Sequence, residues 1–431
     1  MKSVRREQTG WYFYDWANSA FSTTVVTLFL GPYLTAMAKA AADSRGLIYP
    51  LGIPVDPRSY WGYLVALSVL LQVIVLPAAG AMADLSPRKK SWLAAFAYLG
   101  AAATMGMFWI QADAYLVGGL LFLFANVAFG CSVVVYNSFL PQIAEPAERD
   151  AVSSKGWGIG YLGGGLLLAL NLLLYRNAEV FGISEALAVR ISLFSAGAWW
   201  ALFTLIPVAT LRDRQPVLSH RNQSSSFHQF AHTLSGLRNY PQTLLFLLAY
   251  FFYNDAIQAV IALASQFGND ELKIPISSLT LTILMVQFVA FLGALVFKWL
   301  AEQIGAKRAV MLSLLIWTAV ILAIYGIVRN ATGFFVVSAV VGLVLGGSQA
   351  LSRSLFSHLI PRGREAEYFS LYEITDKGTS WLCPLIFALA LQFTQSYRLA
   401  ILSLIVFFVA GLSVLAFVNL ERGAKAAQAA A

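Results

Sequence analysis

Ionisable side chains lie inside long apolar stretches of this 431-residue sequence, where a charge is costly to place. Among them are Asp15, Asp255, Glu373 and Lys377. An ionisable group at the centre of a bilayer costs roughly 2.5 to 3.5 kcal/mol on insertion scales, so it usually faces a cavity or a partner. The chemistry open to such groups is ion pairing, proton uptake and the binding of a charged small solute.

The composition indicates that the apolar stretches are surrounded by lipid. Of all residues, 59% are hydrophobic and only 12% are charged, against roughly 25% charged in a soluble domain. Each stretch is near the roughly 20 residues that a helix needs to cross a bilayer. We therefore predict an all-α integral membrane protein with twelve transmembrane helices at about 11–38, 60–82, 91–111, 114–144, 154–175, 187–211, 241–267, 277–301, 309–328, 333–359, 368–395 and 398–420.

The distribution of basic residues predicts the orientation in the membrane. One side of the predicted topology collects 20 Lys and Arg residues and the other collects 8, with Lys377 inside a span. An excess of basic residues marks cytoplasmic loops, so both termini are predicted to be cytoplasmic and the net charge of +8 does not indicate a nucleic-acid partner. We expect the protein in the plasma (inner) membrane, or in the vacuolar membrane if the source is a fungus.

The longest predicted cytoplasmic connection, 212–240, divides the chain into two halves of six spans, 1–211 and 241–431. In it, four apolar residues recur at helical spacing among polar ones: Phe227, Phe230, Leu234 and Leu237. This pattern predicts an amphipathic helix that lies on the membrane surface. The central connection is thus a linker and not a further domain.

The two halves carry polar residues at matched positions. The matched pairs are Asp15 with Asp255, Asn18 with Gln258, and Asn137 with Arg353. The first two pairs share one offset, 240 residues, which indicates a parallel repeat of six plus six spans. Such a repeat is typical of major-facilitator transporters, whose halves rock about a site near the middle of the membrane.

The segment from Gly80 to Lys90 strengthens this interpretation. It resembles the major-facilitator loop between spans two and three, in which Gly is followed after three residues by Asp and then by a basic turn. The resemblance implies that Asp84 and Arg88 belong to the inner gate, the contact that closes the transport path on the cytoplasmic side. Leu85 stands where the family usually has Arg, and Pro87 where it has Gly, so we expect a weaker charge cluster at this gate.

Further segments narrow the resemblance to one subfamily. Residues 14–20, 160–164, 253–255 and 349–355 resemble the "unknown major facilitator" subfamily, which includes a fungal vacuolar amino-acid effluxer of autophagy. The resemblance implies a secondary transporter that moves small solutes by alternating access, with amino acids as the best-supported substrate class. We expect a monomer with no cofactor.

Asp255 is the predicted proton-coupling residue because it lies about fourteen residues into the seventh span, near the middle of the membrane. Asp15 lies close to the start of its span, where we expect water to reach it. Asn18, Asn254 and Gln258 are the polar neighbours predicted to bind substrate or to assist coupling. The alternative for Asp255 is a structural role, paired with a basic residue or capping a kink.

Glu373, Asp376 and Lys377 fall within two turns of the eleventh span. Lys377 shares a face with Glu373, four residues away, and we predict that it anchors a substrate carboxylate while Trp381 walls the cavity. A small zwitterion would then lie between Lys377 and Asp255. The alternatives are an internal Glu373–Lys377 ion pair and an ordinary packing role for Trp381.

Arg353, at the end of the tenth span, is predicted either to form a gate ion pair or to anchor the span as a positive residue on the cytoplasmic side. Asp84 and Glu365 are the acidic partners that the sequence offers for such a pair.

Other classes of function are less favoured. The sequence contains no nucleophile with a paired base, and His228 and His232 have the spacing of a metal pair but no third ligand nearby. We therefore predict no catalytic residues and no metal. A transporter that exports another small organic solute or a drug is the main alternative. A channel is disfavoured because a two-fold repeat suits alternating access better than a pore ring.

Overall fold

The structure is a computed structural model that describes residues 2–111, 114–214, 236–377, 382–394 and 396–429. Within these ranges the regular elements are helical, apart from one isolated bridge between Ile48 and Val55. Twelve principal helices follow one another along the chain. They are α1 (Lys2–Ala20, continuing through Phe21–Phe29 to Leu30–Ala40), α2 (Pro57–Leu85), α3 (Lys89–Gly106), α4 (Tyr115–Asn137), α5 (Arg149–Arg176), α6 (Glu185–Thr210), α7 (Pro241–Gln266), α8 (Ile276–Ile304), α9 (Ala306–Gly326), α10 (Ala331–Ser357), α11 (Glu365–Lys377 and Leu382–Thr394) and α12 (Tyr397–Leu402 and Ile405–Phe417).

Eleven helices in the described part of the chain are long and apolar enough to cross a membrane. The remaining principal helix, α11, is described as two segments on either side of residues 378–381. A short amphipathic helix, α13 (Leu420–Ala429), follows α12. The prediction of an all-α integral membrane protein is therefore confirmed. Of the predicted surface helix, Phe227, Phe230 and Leu234 lie outside the described residues, and Leu237 is buried.

Glycines allow α1 and α5 to approach each other closely. A Cβ atom on Gly163 of α5 would lie 2.7 Å from the Trp16 ring of α1, and one on Gly160 would lie 2.9 Å from Ser19 Oγ. These distances are shorter than ordinary van der Waals contact, so this part of α5 must be free of side chains on the α1 side. The small-residue run in the fifth span thus serves helix packing.

Buried side chains form two separate apolar clusters that follow the two halves of the chain. The first includes Trp11 and Trp200, and the second includes Trp317 and Phe408. In the second cluster, the Trp317 and Phe408 rings stack with their centroids 5.6 Å apart. Each half therefore carries a packed core that consists almost entirely of its own residues, and Ala366 of the C-terminal half joins the first cluster.

The first and last described residues of the chain and the described residues that flank the central connection lie at one face of the molecule, which we call the linker face. In the N-terminal half, the Gln8 side chain donates to the Ile143 carbonyl (2.9 Å). In the C-terminal half, the Asn419 backbone N–H donates to the Gln242 side chain (2.6 Å). These contacts bring residues near each end of the chain against the segment that follows α4 and the first turn of α7.

The halves contact each other through four helix pairs: α2 with α11, α4 with α11, α5 with α8, and α5 with α10. At the linker face α2 and α11 are so close that a Cβ atom on Gly80 would lie 2.6 Å from the Ala366 carbonyl oxygen. At their ends away from the linker face, α1 and α7 pack mainly on helices of their own halves. The structure is thus a conformation in which the halves are closed against each other at the linker face.

Candidate functional site

A buried ion pair joins the two halves about one turn before the end of α10. Arg353 of α10 donates from Nη1 and Nη2 to Oδ2 of Asp15 in α1, at 3.0 and 3.1 Å. Arg353 is 2% exposed and Asp15 is 8% exposed. Solvent screens an ion pair this well buried only weakly, so the energy of the closed state depends strongly on the distance between the two charges and on their hydrogen bonds.

The remaining donors of Arg353 also reach the N-terminal half. Its Nε donates to Ser153 Oγ and its Nη2 to the Ser153 carbonyl, both at 2.9 Å. Its Nη1 lies 3.4 Å from Oδ1 of Asn137. The Ser153 hydroxyl in turn donates to the Ala350 carbonyl of α10 (2.7 Å). The guanidinium group is therefore fully hydrogen-bonded in the closed conformation.

Aromatic rings of the N-terminal half surround the same guanidinium group. Its central carbon lies 4.6 Å from the centroid of the Trp11 ring, 5.2 Å from that of Trp157 and 5.7 Å from that of Tyr136. The face of an aromatic ring attracts a cation that lies within about 6 Å of the ring centroid. The rings thus add to the attraction that the Asp15 carboxylate provides.

Two expectations from the sequence are wrong here. Arg353 pairs with Asp15 and not with Asp84 or Glu365, and Asp15 is buried instead of being reached by water. Asp15 is buried because α1 begins at Lys2 and not near residue 11. At 1.5 Å per residue, Asp15 lies roughly 20 Å along this helix from its start, between the halves.

A second contact between the halves involves Asp84 at the end of α2. Asp84 Oδ1 pairs with Lys89 Nζ (2.6 Å) and its Oδ2 accepts the backbone N–H of Glu367 (2.9 Å) in the first turn of α11. A carboxylate there satisfies a free N–H group and faces the positive end of the helix dipole. The predicted gate partner Arg88 is exposed, and Lys89 pairs with Asp84 instead.

A polar cluster lies deeper, where α7, α10 and α11 meet. Asn254 donates to Asp376 Oδ1 (2.7 Å) and accepts from Gln349 (2.8 Å). The Tyr250 hydroxyl donates to the same Asp376 oxygen (2.8 Å). Because Asp376 is half-buried, the cluster holds its carboxylate in a fixed position without enclosing it completely.

Asp255 is 1% exposed and lies next to this cluster on α7. Its Oδ2 accepts the backbone N–H of Cys383 in α11 (3.0 Å). Its Oδ1 is buried and has no hydrogen-bond partner within the described part of the chain. One oxygen of this carboxyl group is thus held by protein while the other has capacity for a proton or a ligand atom.

Glu373 connects the deeper region to the buried ion pair. Its carboxylate accepts from Asn137 Nδ2 (3.1 Å) across the two halves, and the Oδ1 of the same amide faces Arg353. The amide therefore lies between a carboxylate of the C-terminal half and the guanidinium group. A movement of α11 would act directly on the side chain that borders Arg353.

Other predicted site residues are placed as follows. Asn18 is buried and Gln258 is half-buried. The Lys377 side chain and the whole of Trp381 lie outside the described residues, so the substrate anchor and its ion-pair alternative stay predictions. His228 and His232 also lie outside them. Within the described residues, no group of three or more His, Cys, Asp or Glu side chains is arranged to hold a metal ion.

The sequence alone assigns no role to Asp376, Tyr250 or Ser153. The spacing of Asp376 from Glu373, three residues on one helix, was the only available signal for Asp376. Tyr250 and Ser153 give no such signal because aromatic and hydroxyl residues are common throughout membrane helices. Their partners come from other helices and are known only once the helices are assembled.

Comparison with known families identifies the chain over almost its full length. Residues 3–428 match the family model described as "Vacuole effluxer Atg22 like". An uncharacterised MFS-type transporter of Bacillus subtilis, YxiO, is 30% identical over 99% of this chain and 98% of its own length. Autophagy-related protein 22 of Pyricularia oryzae is 25% identical over 97% of this chain and 77% of its own length.

The fold is that of known major-facilitator structures. The proton:xylose symporter XylE superimposes with a TM-score of 0.73 over 97% of this chain and 96% of that structure, at 13% sequence identity. This similarity confirms the predicted twelve-helix fold. With the family match, it makes the protein a multi-pass membrane protein and a secondary transporter, not an enzyme. The chain belongs to the vacuole effluxer Atg22-like family of the major facilitator superfamily.

Proposed function

We propose that this transporter moves small zwitterionic solutes, with amino acids as the substrate class, by alternating access that is coupled to protons. The observation that carries the proposal is the buried Asp15–Arg353 pair between the halves. A contact of this kind must break before a solute can enter or leave at the linker face. In the same proposal the protein is a monomer in the plasma membrane, and the linker face is cytoplasmic.

The proposed substrate site is the polar cluster of Asn254, Asp376 and Gln349, together with Asp255. Carboxylates there can bind a substrate ammonium group, and the amides can bind further polar atoms. This assignment is supported by the half-buried position of Asp376 and by the Oδ1 of Asp255, which has no hydrogen-bond partner among the described residues. Lys377 is the proposed anchor for the substrate carboxylate. Efflux is supported by the description of the family, whose name is that of a vacuolar effluxer.

The proposed coupling residues are the carboxyl groups of Asp15 and Glu373, which contact the opposite half, and that of Asp255 inside the C-terminal half. Protonation of Asp15 would remove the charge that faces Arg353, and Asp255 can take up a proton on its free oxygen. A proton then acts as a ligand that binds the open and closed states with different affinity, which is the condition for coupling. Asp255 is the primary candidate, with Glu373 next.

The experiment that tests the proposal is counterflow in liposomes that contain the purified protein. A panel of amino acids, sugars and organic acids is tested as the internal exchange partner for a labelled amino acid. We expect amino acids to drive saturable accumulation and the other classes to fail. Accumulation driven equally well by sugars or organic acids, or flux that does not saturate, would contradict the proposal.

The coupling step is tested with Asp255→Asn, which keeps the size of the side chain but cannot ionise. Exchange should persist in this variant, while uphill transport driven by a pH gradient should be lost. Asp43→Asn is the matched control because Asp43 lies in an exposed loop and the charge change is the same. If Asp255→Asn transports uphill as well as the control, Asp255 is not the coupling residue.

A further inference from the structure

Arg353 belongs to the C-terminal half, but the groups that contact its guanidinium group belong to the N-terminal half. We call these groups the arginine box. They are Asp15, Asn137, Ser153, Trp11, Tyr136 and Trp157. The box therefore holds a planar cation that is supplied by the opposite half. Arg353 acts as a built-in ligand of this site.

Contacts within the N-terminal half hold the aromatic walls of the box without Arg353. The Trp11 Nε1–H donates to the Tyr136 carbonyl (3.0 Å). The Trp11 and Tyr136 rings stack with centroids 4.5 Å apart and an angle of 18° between their planes. Trp157 packs on Tyr161 of the same helix, at 5.5 Å between ring centroids. When the halves separate, these side chains remain together on one half.

Separation of the halves leaves the Asp15 carboxylate without its counter-charge. A buried charge that has lost its partner is costly, so a cation, a proton or water must replace Arg353. The box offers one carboxylate, oxygen acceptors from Ser153 and Asn137, and three ring faces. This combination fits a guanidinium group better than a compact ammonium group, because the guanidinium group is planar, donates in a fork and stacks on aromatic rings.

We propose that the arginine box is a second solute site that binds guanidinium-bearing solutes, such as L-arginine, when the linker face is open. This inference rests on the proposed alternating access of the halves. A solute in the box holds the halves apart because Arg353 needs the same place, and closure of the linker face expels the solute. A ligand that binds only one of two states shifts the equilibrium towards that state.

The first test uses Arg353→Ala, which empties the box without changing its walls. Guanidinium chloride at millimolar concentration should raise the melting temperature of this variant, and urea, its uncharged planar counterpart, should not. In the double variant Asp15→Asn with Arg353→Ala, the apparent affinity for guanidinium should fall at least about tenfold. Equal responses to guanidinium and urea, or no loss in the double variant, would overturn the proposal.

A second test uses the otherwise unchanged protein, so that it does not depend on the folding of Arg353→Ala. Spin labels are placed at Arg88→Cys and Arg362→Cys, two exposed positions of the linker face in different halves, while the native cysteines are buried. L-Arginine should lengthen the distance between the labels. L-Citrulline, which has the same shape without the charge, should not. An equal effect of the two amino acids would overturn the proposal.

These tests separate the arginine box from the proposed function. Loss of amino-acid counterflow altogether would contradict the proposed function. Normal counterflow of neutral amino acids, with no preference for guanidinium over urea or for arginine over citrulline, would remove the arginine box alone.

Discussion

Removal of the Asp15 charge should shift the protein from the closed linker face towards the open one. Asp15→Asn keeps the size of the side chain and leaves Arg353 buried without a counter-charge. Breaking one partner of a buried pair costs roughly 3 to 5 kcal/mol. Arg353 keeps its bonds to Ser153 and Asn137, so we take the lower limit, about 3 kcal/mol, which changes the ratio of closed to open molecules about a hundredfold.

The assay is the distance between spin labels at positions 88 and 362 on the linker face, measured by double electron–electron resonance. Asp15→Asn should move most molecules to a longer distance. The control is Glu302→Gln, which breaks an exposed pair with Lys298 on one helix, a contact worth about 0.3 to 0.5 kcal/mol. If Asp15→Asn gives the same distances as Glu302→Gln, the ion pair does not hold the linker face closed.

Three further changes test other parts of the closed conformation. Gly80→Val should weaken closure at the linker face and lengthen the label distances, because a Cβ atom at position 80 would lie 2.6 Å from the backbone of α11. The control is Gly106→Val, which should leave the label distances unchanged because a Cβ atom there would lie 3.5 Å from the nearest side chain. Burial, and next the charge of Arg149, lower the pKa of His358 from 6.5 to about 4. The closed structure therefore binds this proton more weakly than the unfolded chain, and its stability should fall as the pH drops from about 6.5 towards 4. His358→Gln should remove that part of the slope in thermal unfolding, and an unchanged slope would contradict the assignment. If Lys377 is a substrate anchor, the double variant Glu373→Gln with Lys377→Gln should fold, because neither charge is left without its partner, but it should bind substrate poorly. If ligand-induced stabilisation shows wild-type affinity in this variant, Lys377 is a structural residue.

The transmembrane helices could be predicted because crossing a bilayer imposes a length and a composition on each span. The start of α1 could not be predicted in the same way. Residues 2–10 are polar and basic, so composition places them outside the membrane, yet they continue the helix. The depth of Asp15 depends on this extension, and the expectation of a water-exposed Asp15 failed for that reason.

The partner of Arg353 could not be predicted because spacing relates residues only within one helix. Asp15 is 338 residues away, and which faces of α1 and α10 meet depends on the packing of the whole bundle. The repeat did contain part of the answer. The predicted repeat matches Asn137 with Arg353, and these two side chains lie 3.4 Å apart in the structure.

The gate at Asp84 shows how a short turn limits a prediction from a motif. The motif places a basic residue after the Asp, but the conformation of the turn at residues 86–88 determines which basic side chain can reach Asp84. Here Lys89 begins α3 and reaches Asp84, whereas Arg88 points to solvent. The contact of Asp84 with the Glu367 N–H adds a bond between the halves that the loop sequence alone does not contain.

The central claim is that solute exchange requires the linker face to open. It is tested most directly by counterflow of a labelled amino acid through the Arg88→Cys with Arg362→Cys protein, before and after these positions are joined by a reducible cross-linker. We predict that cross-linking abolishes exchange and that reduction restores it, with each single-cysteine protein unaffected by the reagent. Exchange that continues at an undiminished rate while the linker face is held closed would contradict the account.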